Sequence, residues 1–234
     1  MNTANSITAP RTPPEDRGDD FAAPLGSLTT AHLRFTNGAH RVSIRADANV
    51  RGLYRARFGN RMPAVMVREG IVTIRYPRFP ADEWLDRGSD RFAEVELNAS
   101  VAWDVGIRGG ASGLLADLRT LRLGLLRLEG GAGRLDLALP EPSGTVTVVV
   151  LGGASNVAIR RPIGVAARLC VEGGATNLRL DDRRIGAAGG ELDLKSRGYD
   201  AAIHRYDITV TGGANNVGVS EGRRPTGQDS GTST

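Results

Sequence analysis

Residues 171–180 read VEGGATNLRL. A valine leads into two glycines and an alanine, after which Leu178 and Leu180 alternate with polar residues. The arrangement returns as IRGGASGL at 107–114, LEGGAGRL at 128–135, VLGGASNV at 150–157 and VTGGANNV at 210–217, with a weaker FTNGAHRV at 35–42. Gly110, Gly131, Gly153 and Gly174 stand 21, 22 and 21 residues apart, and Gly213 follows 39 residues later, close to two periods, with 185–199 supplying glycines and a strand in the gap. A period of this length marks an architecture whose units need neighbours to bury an apolar face.

The flanks decide the element type. Ile107, Leu128, Val150, Val171 and Val210 share one column before the corner, and Val105, Leu126, Val148, Leu169 and Ile208 lie two residues earlier. Two earlier again stand Trp103, Gly124, Val146, Ala167 and Tyr206, and after the corner Leu114, Leu135, Val157, Leu178 and Val217 align. Apolar residues two apart, repeated across copies, predict strands with one buried face. The leucine-dense 114–126 also suits a helix, but the period runs through it and predicts strand.

Gly38, Gly109, Gly110, Gly130, Gly131, Gly152, Gly153, Gly173, Gly174, Gly212 and Gly213 are the predicted corners. They free the backbone to bend, and a larger residue would strike the copy stacked above. The pairs Ser155-Asn156, Thr176-Asn177 and Asn215-Asn216 are expected to satisfy turn backbone groups locally. PEPSG at 140–144 and RPIG at 161–164 supply the opposite corners. The predicted fold is all-β: a β-solenoid, or β-helix-like, stack of repeats about 21 residues long with Gly-Gly-Ala corners. The alternative is a two-sheet β-sandwich of hairpins. In the solenoid, successive copies stack directly, so that Val150 lies over Val171.

Residues 1–26 and 221–234 lack periodicity and are expected to be disordered, leaving 27–220 as a single β-repeat domain with insertions within 45–100. The 234-residue chain is 40% hydrophobic but only 5% aromatic, which calls for an aliphatic core, and its 31 glycines show no collagen-like period. Net charge is +4, Lys195 is the sole lysine, and no long basic run occurs, so nucleic acid is not the expected partner. Cys170 is alone, which rules out an intramolecular disulfide and a cysteine-rich zinc site. No signal-peptide pattern and no apolar run of about 20 residues appear, so no membrane insertion is expected and the expected location is cytoplasmic.

Chemistry-bearing motifs are weak. GGAGRLDLA at 130–138 looks like a calcium-binding β-roll repeat, but Leu135 stands where the carboxylate belongs and Asp136 comes one residue late. The glycines at 109, 110 and 113 precede a strand rather than a phosphate-binding helix N-terminus. His32, His40 and His204 have no metal-ligand spacing. No catalytic, cofactor-binding or metal-binding residue is predicted. The candidate interaction patch is an arginine and aromatic cluster in the insertions: Arg51, Tyr54, Arg55, Arg57 and Phe58, with Trp84 in a Pro-bounded loop. Arginines there also suit an exposed strand edge that resists edge-to-edge pairing.

With the copies aligned, AEVELNASVAWDVGIRGGASGL, LRLEGGAGRLDLALPEP, VLGGASNVAIRRP and VEGGATNLRLDD resemble a family of bacterial β-strand-repeat proteins. These are the adhesin-like or "toastrack" domains, related to C-terminal domains of membrane proteins that sense envelope stress. The resemblance covers about residues 92–219 and implies stacked β-repeats with no known active site and an envelope-associated role. The function expected is a non-enzymatic scaffold that presents an extended surface to a protein or polymer partner and self-associates by end or edge pairing. The alternatives are a glycan-binding or glycan-cleaving β-helix and an arginine-mediated nucleic-acid binder.

Overall fold

The computed structural model describes residues 20–59, 62–77 and 92–222. The N-terminal third forms β1 (Asp20–Ala23), β2 (Thr30–Thr36), β3 (Ala39–Asp47), β4 (Tyr54–Phe58), β5 (Ala64–Arg68), β6 (Ile71–Arg75) and β7 (Ala93–Asn98). The regular repeats follow as β8 (Ala102–Arg108), β9 (Ala111–Asp117), β10 (Arg122–Glu129), β11 (Ala132–Ala138), β12 (Thr145–Leu151), β13 (Ala154–Arg161), β14 (Ala166–Val171) and β15 (Ala175–Leu180). Next come β16 (Arg183–Ala188), β17 (Leu192–Lys195), a 3-10 turn at Tyr199–Ala201, β18 (Arg205–Val210) and β19 (Ala214–Glu221).

Each repeat is one coil with a strand in each of two sheets. The strand before the Gly-Gly-Ala corner joins a nine-stranded leading sheet, and the strand after it joins a ten-stranded trailing sheet. Leu126 pairs with Val105 on one side and Val148 on the other, all in parallel register. Hairpins would pair consecutive strands antiparallel within one sheet. The parallel ladder therefore makes this a solenoid of flattened cross-section. Among the described residues antiparallel pairing is confined to the two ends, where β1, β4 and β5 close one and β16 and β17 the other.

The coils do not stack in chain order. Along the trailing sheet the order is β1-β4-β7-β3-β9-β11-β13-β19-β15-β16, and along the leading sheet β17-β14-β18-β12-β10-β8-β2-β6-β5. The last coil, β18–β19, slides between the fourth and fifth copies. At the opposite end β6 and β7 lie outside β2 and β3, and the chain then steps back across them to β8. Val150 consequently does not lie over Val171: Val210 pairs with both and sits between them. The shared column is real, but direct stacking fails at that pair. The 39-residue step reflects this, because 183–195 is not a missing copy but the antiparallel end closure.

Two further expectations change. Residues 20–23, placed in the disordered lead-in, form β1 and pair with β4. Gly124 does not occupy the inward column, since the register shifts between Leu123 and Leu125 and Leu123 pairs with Trp103 in its place. The core between the sheets is aliphatic, with Trp103, Tyr54 and Tyr206 its largest buried side chains. Two of them have their polar ends met: Trp103 Nε1 donates to the Asn98 carbonyl at 3.0 Å and the Tyr206 hydroxyl to the Pro140 carbonyl at 2.7 Å. A buried indole or phenol left without such a partner would be costly.

Candidate interaction surface

The corners form one long edge of the stack. A Cβ on Gly109 would lie 2.6 Å from the Gly38 nitrogen, one on Gly130 2.8 Å from the Gly110 nitrogen, and one on Gly173 2.6 Å from the Gly212 carbon. Backbone therefore packs on backbone, and the corner amides are already engaged: Gly109 and Gly110 both donate to the Glu129 carbonyl, and Gly131 donates to that of Leu151. Gly38, Gly152 and Gly174 have positive φ, whereas Gly153, Gly212 and Gly213 do not. At Gly212 the need is for space rather than for a left-handed backbone, whereas a Cβ on Gly153 or Gly213 would come no nearer than 3.4 and 3.6 Å to its neighbours.

The outer face of the trailing sheet carries the Arg45–Glu96–Arg55 and Asp136–Arg160 pairs. Just past each corner one residue is left-handed in every coil: Arg41, Gly113, Arg134, Asn156, Asn177 and Asn216. It is skipped in the pairing on both neighbouring strands while the offset between them stays constant, a kink repeated up the stack. Asn side chains tolerate that backbone and make a ladder along the outside. Asn177 Nδ2 donates to Asn216 Oδ1, and Asn216 Nδ2 to Asn156 Oδ1, each at 2.8 Å. These asparagines thus bond to each other across coils, not to turn backbone as the sequence suggested.

Beyond the ladder lies a shallow groove. Leu115 on β9 is 58% exposed and pairs across the ladder with Asp136 on β11. Ala138 and Pro162 continue its apolar floor. Asp117 accepts from Arg119 Nε at 2.8 Å, and Asp136 accepts from Arg160. The Arg119 hydrogen bond holds the Asp117 carboxyl below its ordinary range, against a smaller opposing effect of burial. This groove was not anticipated. Its signal in sequence is an apolar residue at a position that is Ser43, Asp136 and Ala158 in neighbouring coils.

The predicted patch is divided by the structure. Tyr54 and Phe58 point into the core, at 2% and 3% exposure, so their rings take no part in any surface. Arg55 and Arg57 alternate with them on the outer face of β4, which is not an edge, because β1 covers it. Glu96, buried on β7, lies between Arg45 of β3 and Arg55 of β4; Arg55 Nε donates to it at 2.6 Å and Arg45 donates to its other oxygen. Burial pushes the Glu96 carboxyl up, but the two guanidinium hydrogen bonds outweigh it and hold the group below its ordinary range. Arg57 stands 3.9 Å from Glu94. Arg51 is exposed. Trp84 lies outside the described residues.

The remaining reactive groups are occupied or covered. Cys170 is buried beneath the end closure, and burial raises its thiol. His32 sits 3.3 Å from Asp104, and His204 Nδ1 accepts from the Gly144 amide at 2.8 Å. Among the described residues no group of three His, Cys, Asp or Glu side chains is placed to hold a metal, and no helix is long and apolar enough to cross a membrane.

One inter-coil clamp was invisible in the sequence. Arg161, 2% exposed at the end of β13, forks onto both oxygens of Asp181 at 2.8 and 2.7 Å, and lies 3.7 Å from Glu221. It reaches across the intercalated β19 from the fourth copy to the fifth.

No protein-family model matches this sequence, and no curated protein does. The fold matches a solved structure. A chain from Clostridium sporogenes, described as a candidate cell adhesion protein, superposes with a TM-score of 0.68 over 86% of this chain and 98% of its own. Identity is 16%, so the likeness is one of fold. The two proteins share a β-repeat fold.

Proposed function

We propose that this chain is a non-enzymatic interaction scaffold whose trailing-sheet face binds a protein or polymer partner at the Leu115 groove. The observation that carries the reading is Leu115 itself. A leucine stands out on an otherwise polar sheet face, ringed by the Asp117–Arg119 and Asp136–Arg160 pairs. An apolar anchor inside a polar rim is the usual anatomy of a binding hot spot. The likeness to a candidate adhesion protein supports the same reading, as does the toastrack resemblance in the corner motifs.

A glycosidase needs one carboxyl held protonated near neutrality; Glu96, Asp117, Glu129 and Asp193, which arginine holds below their ordinary range, are not fitted to that part. The nucleic-acid alternative loses Arg45 and Arg55 to Glu96 in the same way. A photo-crosslinking residue at Ala138, in the same groove as Leu115, is expected to trap the partner, while one at Thr147 on the leading-sheet face is not, and Leu115→Arg added to the Ala138 variant should abolish the product. Equal trapping from both faces, or polysaccharide cleavage by the purified chain, would overturn the proposal.

A further inference from the structure

We propose that β5 is a self-association edge, to which a second copy of this chain adds its own β5 antiparallel about a two-fold axis at Met66. The inference does not depend on the Leu115 reading. Among the described residues four strands end the sheets: β1 and β16 in the trailing sheet, β5 and β17 in the leading one. Every such edge offers unpaired backbone N–H and C=O groups on alternate residues, and proteins that stay apart blunt them with charge, brevity or glycine.

Three of the four are blunted. β17 has four residues, of which Asp193 is held by Arg168 and Lys195 by Asp200. β16 opens on Arg183 and Arg184 and contains Gly186. β1 has four residues and begins at an aspartate. β5 differs. It reads AVMVR, with one charge at its last position, and Met66 and Val67 are 46% and 36% exposed. Val67 pairs with Val72, which is fully buried, so it belongs to the core-facing side and is left uncovered because the sheet stops there.

The sequence of β5 fits its own copy in one register. Antiparallel partners on one face must match in parity. A two-fold axis at Met66 sets Val65 against Val67 of the second copy, Met66 against Met66, and Ala64 against Arg68. Moving the axis to Val67 opposes Val65 to Glu69, and moving it to Arg68 brings two guanidiniums together. The Met66 register alone pairs all five residues without like charges and extends the row of Val72 and Ile74 into the second molecule. It is isologous and closes as a dimer rather than growing into a fibre.

Sedimentation of the full chain is expected to show a concentration-dependent dimer. Met66→Lys and Met66→Glu, each placing like charges across the axis, should weaken it by roughly tenfold or more, and mixing the two variants should restore it. Met66→Cys should oxidise to a covalent dimer, since directly opposed strand residues lie within disulfide reach, whereas Arg184→Cys on β16 should not. Met66 is half in solvent, so unchanged thermal melts are expected to show that these variants fold. A chain monomeric at all concentrations, or a dimer that survives both charge variants, would overturn the assignment.

Discussion

Gly212 shows what the corner demands at the level of a single residue. Its backbone lies outside the left-handed region, so conformational freedom does not explain it. Space does: a Cβ there would sit 2.6 Å from the Gly152 carbon and 2.7 Å from the Gly153 nitrogen, both backbone atoms that cannot swing away. Gly212→Ala is therefore expected to cost about 2 kcal/mol or more, read as a lower midpoint in urea unfolding. Gly218, on the outer face with nothing within 4 Å of its would-be Cβ, is the control. Its alanine variant should stay within about 0.5 kcal/mol of the parent. Arg161 makes a second residue-scale case. Removing it strands Asp181, which is only 28% exposed, so Arg161→Met should cost about 2 kcal/mol, less than a fully buried pair because Asp181 and Glu221 retain some water. Adding Asp181→Asn should recover part of the loss by removing the uncompensated charge, a coupling that a double-mutant cycle in urea would measure.

At the level of the element, the strands were legible because their signal is local. A period of two, repeated in every copy, pointed to the strands β8 to β15 and favoured strand over helix in the leucine-rich 114–126, which the structure divides between β9 and β10 with a turn not foreseen. The left-handed residue after each corner was not legible as one column. It is Arg41, Gly113, Arg134 or one of three asparagines, side chains of different chemistry that share a positive φ. The aromatic and arginine cluster was misjudged for a related reason: alternation along β4 sends Tyr54 and Phe58 inward and Arg55 and Arg57 outward, and only the tertiary fold says which side is the core. Glu96 on β7 gives the pH prediction at this scale. Its folded-state pKa is depressed by Arg45 and Arg55, so in the acid range the unfolded chain binds the proton first and stability rises with pH there. The contribution is complete above the ordinary glutamate range, near ~4.3, and fades as pH falls through the lower folded value. Glu96→Gln should therefore be less stable by about 1–2 kcal/mol at neutral pH, with the gap from the parent closing below pH ~4; a constant gap across an acid titration of the melting temperature would contradict it.

At the level of the whole molecule, the columns could be read from the sequence and the order of the coils could not. The five Gly-Gly-Ala corners are chemically alike, so such a unit fits any slot whose neighbours are also Gly-Gly-Ala, and parallel pairing leaves no short-range mark of which copy lies beside which. What sets the order is the connection. Residues 183–195 close the end antiparallel against β14 and β15, and the chain must then return to the one slot left open, between β12–β13 and β14–β15. The Arg161–Asp181 fork and the Asn216 ladder span that slot on the trailing side. The consequence for dynamics is specific. An ordinary repeat stack is held by nearest neighbours and frays from its terminal copies, but here the last strand in sequence has a full parallel partner on each side. Amides of β18 and β19 are therefore expected to exchange with deuterium as slowly as those of β12 and β13, while β16 and β17, each paired on one side only, exchange faster. The two segments should also open together, since β15 cannot keep its inner neighbour once β19 leaves. Exchange graded along the sequence, with β19 the least protected strand, would mean that the C-terminal coil peels away on its own and that the intercalated slot is not what secures it.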